Sequence, residues 1–416
     1  SSGSSPTNSA SLTPTAPWGV WSHRRHDPAD LASPADNTVL SLLRDRAGRL
    51  WVGTNNGLDR LDPGSRGFRH YPLSVENPGL PLGRRFLVLY EDHAGRVWAG
   101  TDFGLNRWDP GTDAWKLHNH NPDNPDSLSH STVWALLEDR DGFMWAGTGM
   151  GLNRLDPATG RWRRFLHDPD DPDSLSDDVI RCVYQDQRGT IWVGTYGGGL
   201  NRWDPRTGGF RHFTQQDGLP NDVIYGILED AEGRLWISTN GGLTRFDPYR
   251  PSLPRFRNFD VGDGLQSNEF NTGAYARGPD GEMFFGGVDG FTAFFPDRVL
   301  DNPHVPPVVI TAFHAGGQPR PVDATQATRL APGENSLTFE FAALDFTNPR
   351  KNQYAYRLDG FDRDWVYCRD RRFAAYTNLD PGRYVFRVKA SNSDALWNTQ
   401  GAVLRLEIAP PFWRTW

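Results

Sequence analysis

The chain has 416 residues, of which 44 are glycine, 32 are proline and 12% are aromatic. This length exceeds what one ordinary hydrophobic core organises, so two domains are expected, and the many turn residues between short apolar runs favour an all-β protein. The formal net charge of −7 argues against a nucleic-acid partner, which requires a basic face. Two cysteines, Cys182 and Cys368, exclude a disulfide framework, and no apolar run reaches the ~20 residues of a membrane span.

Residues 1–17 are rich in serine, threonine and proline, a composition typical of a linker. Because the chain begins with Ser1, we expect either that a signal segment has been removed or that the chain is a piece of a longer protein. Low cysteine usage suits both the cytosol and the periplasm, so it does not decide the compartment.

A tryptophan recurs along the chain at intervals of 47, 47, 47 and 44 residues, at Trp51, Trp98, Trp145, Trp192 and Trp236. Each follows an Asp-x-x-Gly turn and precedes a glycine-containing turn, an Asp-Pro stop and, in most copies, an aromatic-x-x-aromatic run. A weaker sixth copy carries Phe284 in the tryptophan position. This order predicts four antiparallel strands per unit, the blade of a β-propeller, with the tryptophan packed between neighbouring blades.

The number of blades follows from the two ends of the repeat. The sixth copy has no aromatic-x-x-aromatic fourth strand, whereas Trp18–Ser22 carries such a pattern with no blade before it. We therefore predict a six-bladed propeller at residues 18–300, in which Trp18–Ser22 completes the sixth blade and closes the ring. A seventh blade upstream of Ser1 is the alternative.

The repeat ends near Pro306, and a second domain is predicted at residues 305–410. Four runs alternate apolar and polar residues with a period of two, which is typical of half-buried strands: residues 308–313, 336–341, 354–358 and 384–390. They predict an immunoglobulin- or fibronectin-like β-sandwich, with Tyr384 near a strand start as the anchor of a corner.

These residues resemble a known pairing of modules. The Trp-Val-Gly-Thr…Gly-Leu-Asn-Arg-Trp-Asp-Pro units resemble two-component regulator propeller repeats. The later run resembles the triple-tyrosine (Y_Y_Y) sandwich module through Tyr354-x-Tyr356-x-Leu358-x-Gly360, Trp365, Tyr376-x-Asn378-Leu379, Pro381-Gly382-x-Tyr384 and Trp397.

The resemblance implies the periplasmic ectodomain of an inner-membrane sensor, with no enzymatic activity in this part of the protein. The implied output domain is a histidine kinase, a hybrid kinase or a diguanylate cyclase. Residues 411–416 resemble the segment before a transmembrane helix, and we expect the full-length sensor to form a homodimer. The best-known members carry two seven-bladed propellers, so their oligosaccharide ligands do not transfer directly to this chain.

No cofactor or metal is predicted. Gly194–Gly199 lies between two predicted strands, so a turn is favoured over a phosphate loop. The aspartates of residues 168–178 lack EF-hand spacing, which favours Asp-Pro turns over a calcium site. His118 and His120 form the one close histidine pair, and a structural role is favoured for both.

Two other functions stay open at this stage. Some propellers are metal-dependent lactonases or lyases, and they require polar groups at the channel ends of the first strands. Such groups are present here: Asp36, Asn37, Asp177, Asp178, Asn221, Asp222, Asn268 and Glu269. The other alternative is a protein-interaction scaffold without a small ligand.

The turns between second and third strands vary where the units otherwise match, and the interblade loops are expected on the same face. Together they predict a site for a small polar ligand with an apolar face, such as a saccharide. Its residues are Asn56, Arg84, Arg85, Asp102, Phe103, His130, Met150, Asp177, Tyr196, Asn221, Asn240, Asn268 and Asp289. The alternative is a set of variable, solvated turns.

Overall fold

The computed structural model describes residues 23–71, 80–249, 256–323 and 325–411. Apart from two short 3₁₀ turns, Val261–Asp263 and Pro296–Arg298, its regular elements are β-strands. Among the described residues, no helix has the length and apolar character needed to cross a membrane.

Five four-stranded antiparallel sheets follow one another along the chain, each in the order first, second, third, fourth strand. These are propeller blades, numbered 1 to 5 here. Blade 1 consists of β1 (Val39–Arg44), β2 (Leu50–Thr54), β3 (Gly57–Leu61) and β4 (Arg69–Tyr71). Blade 2 consists of β5 (Phe86–Glu91), β6 (Val97–Thr101), β7 (Leu105–Asp109) and β8 (Ala114–His118), and blade 3 of β9 (Val133–Glu138), β10 (Met144–Thr148), β11 (Gly151–Leu155) and β12 (Trp162–Phe165). Blade 4 consists of β13 (Ile180–Gln185), β14 (Ile191–Thr195), β15 (Leu200–Trp203) and β16 (Phe210–Phe213), and blade 5 of β17 (Ile224–Glu229), β18 (Leu235–Thr239), β19 (Gly242–Phe246) and β20 (Phe256–Phe259).

A sixth sheet, blade 6, has three strands in the described residues: β21 (Phe270–Arg277), β22 (Met283–Gly287) and β23 (Gly290–Phe294). The strand predicted to complete it, Trp18–Ser22, lies outside the described residues. Six blades closed by that strand therefore stay a prediction. The first strands β1, β5, β9, β13, β17 and β21 lie against one another in this order.

One hydrogen-bond pattern explains why each first and second strand form a hairpin. Gly48 adopts a φ of +80°, which favours glycine, and its N–H donates to the Asp45 carbonyl. The Asp45 carboxylate accepts the Arg49 N–H at 2.9 Å and the Trp51 indole N–H at 2.8 Å. The same pair of bonds recurs at Asp92, Asp139, Asp186 and Asp230. The turn thus holds the tryptophan in its buried position.

The recurring tryptophans pack between blades, as predicted. Trp51 of blade 1 meets Trp108 and Trp115 of blade 2, with ring centroids 5.0 and 6.0 Å apart. Trp145 of blade 3 lies 5.1 Å from Trp203 of blade 4. All five recurring tryptophans are at most 1% exposed, so each removes a large apolar surface from water.

The sandwich has two sheets, with strand orders β25-β24-β27-β30 and β26-β32-β31-β28-β29. The strands are β24 (Val308–Ala315), β25 (Gln318–Arg320), β26 (Thr328–Leu330), β27 (Leu337–Ala343), β28 (Tyr354–Asp359), β29 (Val366–Arg369), β30 (Phe373–Tyr376), β31 (Gly382–Ser391) and β32 (Trp397–Ile408). Phe339 stacks on Phe313 of its own sheet at 5.0 Å and on Phe386 of the other at 3.9 Å. The predicted corner is present, because the Tyr384 hydroxyl donates to the Asp380 carbonyl at 2.9 Å.

By its internal contacts the chain divides into one unit of Ser1–Thr244 and Gln266–Ala293 and a second of Arg245–Leu265 and Phe294–Trp416. The second unit therefore contains β20 and the turn after it, as well as the sandwich. Within it, Arg257 pairs with Asp301 at 2.7 Å and with Asp394 at 3.1 Å.

Candidate functional site

The antiparallel order of each blade gives it two ends. We call the end with the Asp-x-x-Gly turns the hairpin face. The end with the turns between second and third strands and with the interblade loops is called the loop face. The turns and loops are joined by backbone hydrogen bonds. In each, a glycine at or directly before the start of a third strand donates its N–H to a carbonyl of the loop that leads into the next blade: Gly57 to Arg84, Gly151 to Asp178, Gly199 to Asp222 and Gly242 to Asn268.

Several residues of the predicted site stabilise the loops themselves. The Asp102 carboxylate accepts the backbone N–H groups of Arg84 and Arg85 at 3.0 and 3.1 Å. The Arg85 guanidinium donates to Asn55 at 3.2 Å, which joins the blade 1 turn to the next interblade loop. His130, Asp177 and Asn221 each accept a backbone N–H two residues further along, from Thr132, Val179 and Val223.

Other predicted site residues are exposed on turns. Phe103, Met150 and Tyr196 present apolar surface to solvent, and Asn56, Asn240, Asn268 and Asp289 are exposed polar residues. The side chains of Asn56, Met150 and Asp289 make no hydrogen bond with any residue that the structure describes. Among these turn residues, Tyr196 contacts the Arg181 guanidinium, which has no ion-pair partner among the described residues.

A β-bulge interrupts the first strand of each four-stranded blade at the same point. The pairing of β13 with β14 passes from Ile180 to Cys182 and skips Arg181. The equivalent skipped residues are Leu40, Leu87, Trp134 and Tyr225, and β21 is irregular between Phe270 and Tyr275. A bulge re-aims a side chain and is over-represented beside binding sites. The bulges thus place one side chain per blade beside the loop face, and in blades 3, 4 and 5 this side chain differs from the leucine of blades 1 and 2.

Arg181 is the centre of this set. Its guanidinium carbon lies 4.2 Å from the Trp134 ring centroid and 4.5 Å from that of Tyr196, within the range of cation–π attraction. Its Nε is buried without a hydrogen-bond partner, and no ion pair joins it to the described part of the chain. Burial lowers the pKa of Arg181, while Tyr196, Tyr225 and Asp177 act in the opposite direction.

Tyr225 of blade 5 lies beside this arginine and is 8% exposed. Burial raises its pKa, with further contributions from Tyr196 and Glu269, so its hydroxyl keeps its proton at neutral pH. That hydroxyl makes no hydrogen bond within the residues that the structure describes. Arg181 and Tyr225 therefore hold unused donors next to aromatic surface, which is the chemistry of a polar ligand site.

Trp134, Arg181 and Tyr225 are not among the site residues predicted from the sequence, although the sequence contains a signal for them. These residues follow the first apolar residue of each first strand, where the repeat otherwise reads Leu40 and Leu87. The change from leucine to tryptophan, arginine and tyrosine in consecutive repeats marks a departure from the structural pattern. The period-two pattern of a strand does not reveal a bulge, so this departure alone does not identify a site.

The described residues contain no group of three or more His, Cys, Asp or Glu side chains arranged to hold a metal ion. Cys182 is fully buried, and burial raises the pKa of its thiol to about 12, so it does not provide a reactive thiolate. An open cleft of about 590 Å³ lies on blade 4 and is lined by residues such as Thr190, Trp203 and Arg206, none of them a predicted site residue.

Family models match both parts of the chain. Two component regulator propeller matches residues 33–56, 127–150, 174–197 and 218–241, and the Y_Y_Y domain matches residues 345–409. Histidine kinase P4 of Formosa agariphila is 31% identical over 169 residues, which cover 38% of this chain and 12% of that relative.

Two solved structures also resemble the chain. One is the extracellular domain of a protein described as a hybrid two-component system of B. thetaiotaomicron, with 22% identity, a TM-score of 0.47 and coverage of 93% of this chain and 57% of that chain. The other is virginiamycin B lyase of Staphylococcus aureus, with 14% identity, a TM-score of 0.48 and coverage of 64% and 83%. This chain thus spans just over half of the first structure and a small part of the kinase.

Proposed function

The chain carries two-component regulator propeller repeats followed by a Y_Y_Y domain, and we propose that it is the extracytoplasmic ligand-sensing part of a bacterial membrane-bound signalling receptor. A small polar ligand, such as a saccharide, binds on the loop face. The sandwich relays the binding event towards the membrane. The receptor's output is a histidine kinase, a hybrid kinase or a diguanylate cyclase, a proposal that rests on the family resemblance and on the named kinase relative.

The observation that carries the ligand site is that Arg181, between Trp134 and Tyr196, has no hydrogen-bond or ion-pair partner among the described residues. A charged donor that is partly withdrawn from water without a partner costs free energy, and a ligand that supplies an acceptor recovers it. A sensor that moves from 1:99 to 99:1 needs about 5.5 kcal/mol of differential affinity, which is less than the roughly 8 kcal/mol of a micromolar binder.

Calorimetry against a panel of saccharides and metabolites tests the site. We expect a ligand whose affinity falls about tenfold or more in Trp134→Ala and Tyr196→Ala. Phe346→Ala is the matched control, because Phe346 is 80% exposed and lies in the sandwich rather than on the loop face. A ligand whose affinity ignores every substitution on the loop face would show that the site is wrong.

We further propose that the sandwich forms a homodimer contact in the full-length receptor, which a transmembrane helix after this chain anchors in the inner membrane. Phe361 is 58% exposed on the sandwich and supports such a contact, whereas Trp397 packs against Tyr367 with ring centroids 5.7 Å apart. Phe361→Cys in the full-length receptor in membranes is expected to cross-link between two copies. Absence of a cross-linked dimer in every ligand state, for cysteines placed across the sandwich, would contradict the proposal.

A further inference from the structure

We infer that the ligand of the loop face is an acidic saccharide. Its carboxylate binds Arg181, and the apolar face of its sugar ring packs on the Tyr196 ring. This inference rests on the proposed function and specifies its ligand. It assigns a role to the two unused donors, the aromatic rings and the nearby carboxylates together.

Arg181 differs in its partners from the arginines that support the fold. Arg49, Arg96 and Arg234 each bind a carboxylate of the same blade, with N–O distances of 2.6, 2.6 and 2.7 Å. Arg181 has no such partner among the described residues, although it is partly buried. The guanidinium group binds a carboxylate in a planar, two-bond geometry, so the missing partner has the chemistry of a carboxylate.

The surrounding side chains add a second donor and an apolar surface. The Tyr225 hydroxyl stays protonated and has no partner in the described residues, so it donates to the same carboxylate or to a ring oxygen. The Tyr196 ring is 48% exposed beside Arg181 and offers the flat surface on which a sugar ring packs. Trp134, on β9 of the neighbouring blade 3, holds the Arg181 guanidinium in place by the cation–π contact.

Two acids near the site favour a saccharide over a simple organic acid. Asp177 and Glu269 are close enough to influence Arg181 and Tyr225 electrostatically, yet neither forms an ion pair with Arg181. A carboxylate oxygen is an acceptor only, and since one Asp177 oxygen already accepts the Val179 N–H, its other oxygen and the exposed Glu269 carboxylate are free to accept donors from a ligand. Sugar hydroxyls are such donors, whereas a benzoate-like acid has none and would meet only repulsion from them.

The test compares sugars that differ only at the acidic group. The probes are the methyl glycosides of glucuronate and galacturonate and uronate disaccharides, with methyl glucoside, methyl galactoside and their disaccharides as matched neutral sugars, and benzoate as a non-saccharide acid. Binding is measured by calorimetry, and by the Nε–H resonance of Arg181 in protein labelled with ¹⁵N-arginine. We expect at least one uronate to bind about tenfold or more tightly than its neutral partner and to shift that resonance.

Arg181→Gln should abolish this preference, so that the uronate and its neutral partner bind this variant with affinities within about twofold of each other. Arg211→Gln is the matched control, because Arg211 also lies over an aromatic ring, Phe213 at 5.1 Å, but on the exposed outer strand of the same blade. If Arg181→Gln does not fold, Arg181→Met takes its place.

Three results would overturn the inference. They are equal binding of neutral and acidic sugars, benzoate binding as tightly as the uronates, and no uronate binding up to roughly 10 mM, a weak limit for a fragment-sized ligand. Neutral sugars that bind equally but lose affinity in Trp134→Ala would leave the proposed function intact. A ligand insensitive to all loop-face substitutions would instead remove the proposed function.

Discussion

The two faces of the propeller differ in whether their buried or half-buried polar groups have partners within the protein. On the hairpin face the same residues recur, and in five blades the buried aspartate binds the buried tryptophan with N–O distances of 2.7 to 2.9 Å. On the loop face the bulged position changes from leucine to tryptophan, arginine and tyrosine, and the arginine has no polar partner among the described residues.

This difference separates two roles of sequence in a repeat protein. A residue that recurs at each period meets a need that each blade has, such as closing a turn or burying a ring. A residue that departs from the period at an equivalent backbone position is free of that need. Where the departure also leaves a donor unused, binding is the function that explains it best.

The largest expected effect is on the hairpin face. Trp145→Phe removes a fully buried indole whose N–H donates to Asp139 at 2.7 Å, so it loses packing volume and leaves a buried carboxylate short of one donor. We expect the free energy of unfolding in urea to fall by about 3 kcal/mol. Trp134→Phe, on the loop face, should cost less than about 1 kcal/mol because Trp134 is half-buried and makes no hydrogen bond with any described residue. Equal losses would contradict the comparison of the two faces.

The second effect depends on pH and concerns His118, a fourth-strand residue that is not part of the loop-face site. Burial, with Lys116 and Arg107, lowers the pKa of His118 to about 4, and its ring lies between Trp98 and Trp162. The unfolded state gains this proton near pH 6.5 and the folded state only near pH 4. The stability that neutral His118 contributes is therefore fully present above about pH 6.5 and is lost as pH falls towards 4.

Between pH 7 and pH 5, His118→Phe should lose about 2 kcal/mol less stability than the natural chain. Urea unfolding at both pH values measures this difference. His23→Phe is the control, because His23 is exposed and makes no hydrogen bond or ion pair with any described residue. The same acid loss in His118→Phe and in the natural chain would mean that His118 is not held neutral by the fold.

Most of the fold follows from the sequence because its causes are local. The Asp-x-x-Gly turns, the tryptophan period and the Asp-Pro stops fix four strands per blade, and Tyr384 marks the corner of the sandwich. The pairing of the strands and the packing of Trp51 between blades agree with these expectations. The closing strand Trp18–Ser22 lies outside the described residues, so the blade count stays a prediction.

The candidate site could be predicted only in part. The variable turns placed Tyr196 in the predicted site, and the structure shows its ring beside the Arg181 guanidinium, while its role in ligand binding stays a prediction. The sequence did not reveal Arg181, because its role depends on a bulge and on two rings, one from a strand of blade 3 and one from a turn of blade 4, which come together only in the folded propeller. A local pattern predicts turns well, whereas an unused donor is visible only when every possible partner has been placed.

Blade 6 offers a test of the hairpin pattern with a smaller effect. Gly278 and Phe284 occupy the positions that carry aspartate and tryptophan in the other blades, so the donor and the acceptor are lost together. We expect Gly278→Asp and Phe284→Trp to be more favourable in combination than the sum of the single changes, by about 1 kcal/mol in a double-mutant cycle. Additive effects would show that the pair does not form the bond found in blades 1 to 5.

The central claim is that Arg181 is kept for binding rather than for folding, and a matched pair of arginines tests it most directly. Arg234→Met removes a bond from Arg234 to the buried Asp230 at 2.7 Å, whereas Arg181→Met removes a side chain with no hydrogen bond or ion pair to any described residue. The free energy of unfolding of both variants is measured without ligand. We predict a loss of about 1 to 3 kcal/mol for Arg234→Met and a change within about 0.5 kcal/mol, or a gain, for Arg181→Met. A loss in Arg181→Met as large as that in Arg234→Met would contradict the claim and assign Arg181 to the fold.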